Sequence, residues 1–66
     1  MTIDDLIKIL RANRNGPQRQ KVTEMIHEIE RFSLGTEVDA GTLKETDLAS
    51  GRFKAELTGE TLSLRK

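Results

Sequence analysis

A glutamate and the single histidine of this chain have the spacing of a metal-binding helix. Glu24 and His27 are three residues apart, as in the Glu-x-x-His pairs of di-iron helical bundles. Such a centre needs further carboxylates from neighbouring helices, and on a helical wheel His27 falls opposite the apolar stripe that begins at Val22. We therefore expect His27 to be solvated, and we predict no metal site.

The same histidine begins a near match to the zinc-protease motif His-Glu-x-x-His. Arg31 stands where the second histidine ligand would be, so this motif cannot hold a catalytic zinc. The three serines lack the flanking glycines of a nucleophile elbow, and no glycine-rich phosphate loop is present. We predict that the protein is not an enzyme, holds no cofactor and has no small-molecule substrate.

A basic, amide-rich segment is the remaining candidate for chemistry. We name residues 11–21, RANRNGPQRQK, the basic elbow; its cations are Arg11, Arg14, Arg19 and Lys21. Guanidinium groups bind phosphate in bidentate fashion, and amide side chains can bond to base edges. The elbow has no aromatic residue on which a base could stack. Nucleic-acid binding through these four cations is therefore the alternative hypothesis.

Composition limits the class of protein. The chain has 66 residues, 35% of them hydrophobic and 33% charged, and its formal net charge is zero. We expect one small domain over residues 1–66, with no overall field to attract nucleic acid or an anionic membrane. Cysteine is absent, which excludes disulfides and favours a cytoplasmic location. The first residues carry acids where a secretory signal carries cations, and no apolar run is long enough to span a bilayer.

Two amphipathic helices must position the basic elbow. The first stripe follows helical spacing behind a capping box of Thr2 and Asp5, which predicts a helix over about 3–14. The second stripe predicts a helix over about 17–33, and Gly16 between them is suited to a left-handed cap. The two stripes are Ile3, Leu6, Ile7 and Leu10, and then Val22, Met25, Ile26, Ile29 and Phe32.

The C-terminal residues FKAELTGETLSLRK predict a β-hairpin with strands over about 52–58 and 61–65. Gly59-Glu60 suits a two-residue type II′ turn, because glycine tolerates the positive φ of the first turn position. This turn sets the register and gives the hairpin one apolar face, which the helices should cover. That face comprises Ala55, Leu57, Leu62 and Leu64.

The segment between the helices and the hairpin allows two interpretations. Thr42 and Thr46 are β-branched and glycines bracket the segment, which favours a third strand over about 42–46. Alternatively, Thr42 with Glu45 caps a short helix that ends at Ser50-Gly51. With the strand preferred, the predicted fold class is α+β, a helical hairpin packed on a two- or three-stranded antiparallel meander.

An interaction role is the hypothesis that remains. A small core, the off-stripe Ile9 and an unprotected outer strand leave apolar and hydrogen-bonding surface for a protein partner. We predict a non-enzymatic protein-interaction module, a homodimer of accessory or regulatory type. Its charge-rich, cysteine-free composition is common among small bacterial and phage accessory proteins, although no motif assigns it to a family.

Overall fold

Two helices precede a three-stranded mixed sheet that is interrupted by a third, short helix. The computed structural model describes residues 1–66 and confirms the predicted α+β class. Its elements are α1 (Ile3–Ala12), α2 (Arg19–Ile29), β1 (Glu37–Asp39), α3 (Glu45–Ser50), β2 (Lys54–Thr58) and β3 (Thr61–Arg65). The strands lie in the order β1-β3-β2, so β3 is central.

The start of α1 is fixed by the predicted capping box. The Asp5 backbone N–H donates to the Thr2 hydroxyl at 3.4 Å, and the Thr2 backbone N–H donates to the Asp5 carboxylate at 3.0 Å. These two bonds satisfy groups that the first turn of a helix leaves without partners. The Thr2 backbone N–H, together with the Thr2 hydroxyl that donates to the same Asp5 carboxylate at 3.1 Å, holds the pKa of the Asp5 carboxyl below its ordinary value, since both bonds favour the charged form.

Both long helices are shorter than predicted. The helix α1 ends at Ala12, where the Asn13 side-chain amide donates to the carbonyl of Ile9 at 2.9 Å. Asn13 thus ends the helix one turn before Gly16, and Gly16 does not adopt the predicted left-handed conformation. The helix α2 ends at Ile29 rather than near residue 33, which leaves the half-buried Phe32 to pack from the following turn.

The hairpin register is confirmed pair by pair. Leu57 lies opposite Leu62, and Ala55 lies opposite Leu64, as the two-residue turn requires. Gly59 has φ of 64°, and Glu60 has no positive φ. This pair of signs fits type II′ and excludes type I′, in which both turn residues have positive φ.

The predicted antiparallel meander is wrong in its third strand. Residues 37–39, not 42–46, form that strand, and β1 runs parallel to β3 with Val38 opposite Leu62. A three-residue strand carries too little alternation to be read from sequence, since Val38 alone is buried between two exposed acids. Its outer side is held by the start of the chain. Val38 donates its backbone N–H to the Met1 carbonyl at 2.7 Å, and Thr2 bridges to Glu37.

The segment predicted as a strand over 42–46 instead leads into α3, close to the alternative interpretation. Its cap is Lys44 rather than Thr42, and the Lys44 backbone N–H donates to the Asp47 carboxylate at 3.2 Å. Helical spacing prevails because Leu48 is the buried residue of this segment, whereas a strand over 42–46 would have exposed both threonines and buried nothing beyond the partly covered Leu43.

Gly51 ends α3 and joins it to α2. It is buried, with φ of 70° and ψ of 16°, which is the left-handed cap that favours glycine. A Cβ atom at this position would lie 3.2 Å from the Lys21 carbonyl oxygen and 3.3 Å from the Val22 nitrogen. The close approach of the two backbones therefore requires a residue without a side chain.

One cluster of thirteen buried hydrophobic side chains forms the core. It combines both predicted helical stripes, apart from the partly buried Phe32, with Val38 of β1 and the inner face of the central strand, and Phe53 and Leu48 close it at the α3 end. No buried polar side-chain atom lacks a hydrogen-bond partner. None of the helices is long and apolar enough to cross a membrane.

Candidate interaction surfaces

The histidine and its neighbouring acid lie apart from any cluster. Glu24 and His27 are both exposed on α2, on the side away from the buried stripe, as predicted for His27. No three histidine, aspartate or glutamate side chains come together in a group that could hold a metal ion. These two residues therefore belong to the polar face of α2.

The four cations of the basic elbow do not form one surface. Arg11 pairs with Glu30 through Nη2 and Oε1 at 3.3 Å, which links the end of α1 to the end of α2. Arg14 and Arg19 line one open cleft of about 590 Å³, whose other lining residues include Glu24. Lys21 borders a different cleft on the side of α3 and β2. Only Arg14 and Arg19 are thus brought together, and an acid shares their cleft.

A second group of cations gathers where α2, α3 and the sheet meet. Four cations and one acid line an open cleft of about 480 Å³ beside the buried Phe53. Its charged residues are Lys21, Asp47, Arg52, Lys54 and Lys66. Within it, Lys66 Nζ lies 3.6 Å from Asp47 Oδ2. Sequence reasoning missed this group because its members come from α2, α3, β2 and the C-terminal end of the chain, which only the fold brings together.

Ile9, the off-stripe residue of α1, contributes part of its surface to the core. It is partly buried and packs against the core cluster. Its role is to widen the buried side of α1, and it adds little to the interaction surface that the sequence suggested.

The two edges of the sheet differ in what covers them. The edge at β1 is bonded to residues 1–3, as described above. The edge at β2 pairs with β3 on one side and has no strand on the other. The unpaired edge is therefore β2, where the meander would have placed it at β3.

Leu57 on β2 is exposed although it belongs to the inner, apolar face of the sheet. Its 51% exposure contrasts with 0% for Leu62, the residue directly opposite it on β3. Ala55 on the same strand is partly buried against the core. The prediction that the helices cover the whole hairpin face is thus right for Leu62 and Leu64 on β3 and wrong for Leu57 on β2.

Two further large apolar side chains are exposed near the opposite edge. Leu34 has 56% of its surface exposed, and the exposed Met1 lies beside β1. The backbone around them is already bonded: the Leu34 carbonyl accepts from Asp4, and the Met1 carbonyl accepts from Val38. Leu57 is the one exposed large hydrophobic residue on a strand whose outer edge is unpaired.

The outer face of β2 carries alternating charge. Lys54 and Glu56 point away from the core side, and Glu56 Oε2 lies 3.8 Å from Arg65 Nη2 on β3. Both side chains are exposed, so their charges are available to a strand that joins the edge. No protein-family model, no curated protein and no solved structure matches this chain, so its own surfaces carry the functional argument.

Proposed function

We propose that this protein is a non-enzymatic protein-interaction module of accessory or regulatory type that acts as a homodimer in the cytoplasm. The observation that carries the proposal is the free edge of β2 with the half-exposed Leu57 upon it. A strand edge offers a row of unpaired backbone groups, and strand addition is a common way for one protein to bind another.

Pairing of the two β2 edges would stabilise both copies through burial of Leu57 and through new backbone hydrogen bonds. Burying the exposed half of Leu57 would contribute about 1 kcal/mol per copy. Each new backbone hydrogen bond across the edge adds about 0.5–1.5 kcal/mol net. A chain of 66 residues has a small core, so association also raises its stability by mass action.

Sedimentation equilibrium over a wide concentration range tests this proposal. The informative variant is Leu57→Asp, which places a charge in the expected interface. Leu34→Asp is the matched control, since Leu34 is equally exposed but lies near the covered edge. We expect wild type and the Leu34 variant to dimerise alike and the Leu57 variant to remain monomeric. A monomeric wild type at millimolar concentration, or equal behaviour of the two variants, would contradict the proposal.

Nucleic-acid binding is the second candidate, favoured by the cleft that Arg14 and Arg19 share. Two guanidinium groups on one cleft can neutralise phosphates, and such binding weakens steeply as salt rises. Labelled duplex DNA and single-stranded RNA should be titrated at low and moderate salt with wild type and with the Arg14→Glu, Arg19→Glu variant.

The control for that titration is a double charge reversal elsewhere on the surface, Arg31→Glu with Lys44→Glu, at two exposed cations outside the elbow. The second candidate requires salt-sensitive binding that only the elbow variant loses. Absent binding, or an equal loss in both double variants, would remove it.

A further inference from the structure

We propose that two copies of this chain join β2 to β2 in antiparallel orientation, with the two-fold axis at Ala55. This inference rests on the proposed function and names the geometry of its interface.

The backbone groups at the free edge belong to alternate residues. Because the two-residue turn closes on Thr58 and Thr61, that pair exchanges the hydrogen bonds next to the turn. Hydrogen-bonded and non-hydrogen-bonded pairs then alternate along an antiparallel ladder. Lys54 and Glu56 therefore bond to β3, while the N–H and C=O groups of Ala55 and Leu57 point outward to an incoming strand.

When two β2 strands pair in antiparallel orientation, the two-fold axis can lie at Ala55, Glu56 or Leu57. The charges of Lys54 and Glu56 distinguish the first two of these registers. An axis at Glu56 sets the two Glu56 carboxylates opposite each other in a closely spaced pair, which is unfavourable. An axis at Ala55 sets Lys54 of each copy opposite Glu56 of the other. Each glutamate then lies between that lysine and Arg65 of its own chain, 3.8 Å away.

The third register, with its axis at Leu57, extends the pairing into the turn. It overlaps over residues 56–58 of β2, as many as the 54–56 of the Ala55 axis, but it sets Ala55 opposite Gly59, so the tight turn itself would have to pair. The Ala55 axis instead runs the overlap towards Arg52 and sets Leu57 opposite Phe53 of the second copy. That arrangement places the exposed leucine beside the apolar end of the other core.

Single-cysteine scanning measures the register directly, because the natural chain has no cysteine. Ala55→Cys, Glu56→Cys and Leu57→Cys are each oxidised at low concentration, and covalent dimer is measured on a non-reducing gel. With the axis at Ala55, only the Ala55 variant should cross-link, since its Cα atoms would be about 5.5 Å apart, within disulfide range. In the other two variants the cysteines would be separated by more than about 7 Å, beyond that range.

Reversing the charge of Lys54 or of Glu56 tests the same register independently. Lys54→Glu and Glu56→Lys each turn two attractive pairs into repulsive ones, so each alone should weaken dimerisation about tenfold or more. Mixing the two variants should restore a dimer, because every cross-strand pair is again of opposite charge. Arg14→Glu, which makes the same charge change as Lys54→Glu away from β2, should leave dimerisation unchanged.

The outcomes separate the register from the proposed function. Cross-linking at Ala55 together with recovery on mixing supports the inference. A dimer that cross-links at Glu56 or Leu57, or that Lys54→Glu leaves intact, overturns the Ala55 axis while the interaction module stands. A wild type that is monomeric at every concentration overturns both. Circular dichroism of each variant verifies that the substitutions do not alter the fold.

Discussion

Replacing Gly51 by alanine tests the joint that holds α3 against α2. The glycine is buried in a left-handed conformation, and its Cα faces the backbone of α2 at Lys21 and Val22. Gly41 is the matched control. Its φ of 57° is also left-handed, but a Cβ there would meet only the Leu64 carbonyl oxygen at 3.5 Å, an ordinary contact.

Both substitutions place an alanine in a left-handed conformation, but only Gly51→Ala also adds a Cβ that is too close to neighbouring backbone. A left-handed conformation costs an L-residue about 1–2 kcal/mol, and alanine recovers about 0.4–1 kcal/mol by restricting the unfolded chain. Gly41→Ala should therefore lose about 1 kcal/mol. Gly51→Ala must also displace helical backbone from 3.2–3.3 Å, an overpacking cost of about 1–3 kcal/mol, for a total loss of about 2–4 kcal/mol.

Urea unfolding followed by circular dichroism measures both losses. A domain of this length has an unfolding free energy of about 3–10 kcal/mol, so the Gly51 variant should be strongly destabilised or partly unfolded at 25 °C. Protein concentration must be held constant, because dimerisation would shift the midpoint. Equal destabilisation of the two variants would refute the close approach of α3 to α2.

Three further predictions concern the hairpin and the first helix. Leu62→Ala should cost about 2–5 kcal/mol because this leucine is fully buried, whereas Leu57→Ala should cost about 1 kcal/mol or less in the monomer, as urea unfolding in dilute protein would show. Gly59→Val should lose about 1 kcal/mol or more in thermal unfolding, because the turn requires positive φ. The Asp5 carboxylate, with its lowered pKa, contributes stability that is present above its ordinary value of 3.8 and is lost as pH falls below it. Asp5→Asn should therefore reduce the pH dependence of unfolding in that acidic range.

Elements with repeated signals could be predicted from the sequence. Each stripe of α1 and α2 repeats its apolar spacing over two or more turns, and every residue of these stripes except Phe32 is buried. The hairpin had two agreeing signals, the glycine turn and the alternation of Ala55 and Leu57, and its register is confirmed. Where several residues repeat the same apolar periodicity, tertiary packing rarely overrides the predicted element.

Elements with a single signal could not be predicted. β1 has one buried residue, Val38, and the partner that holds its outer side comes from the first residues of the chain. In the segment of α3, threonine propensity favoured a strand, but one leucine and one left-handed glycine decided for a helix. Propensity is a weak guide when packing of one residue against a neighbouring element opposes it.

The exposure of the β2 edge depends on β1 and on the segment of α3, the two elements that the sequence predicted least well. Had residues 42–46 been the third strand of a meander, β2 would lie in the centre and Leu57 would have a strand on either side. Because β1 pairs in parallel with β3 instead, β2 becomes an edge strand and Leu57 stays half exposed. The residues that would bind a partner are thus visible in the sequence, but their exposure is decided by a three-residue strand some fifteen positions away. Val38→Ala should therefore weaken β1 and lower the stability of the sheet, but it changes no residue of the proposed dimer interface on β2. Dimerisation of that variant should persist under conditions in which it remains folded, a result that sedimentation and circular dichroism can verify together.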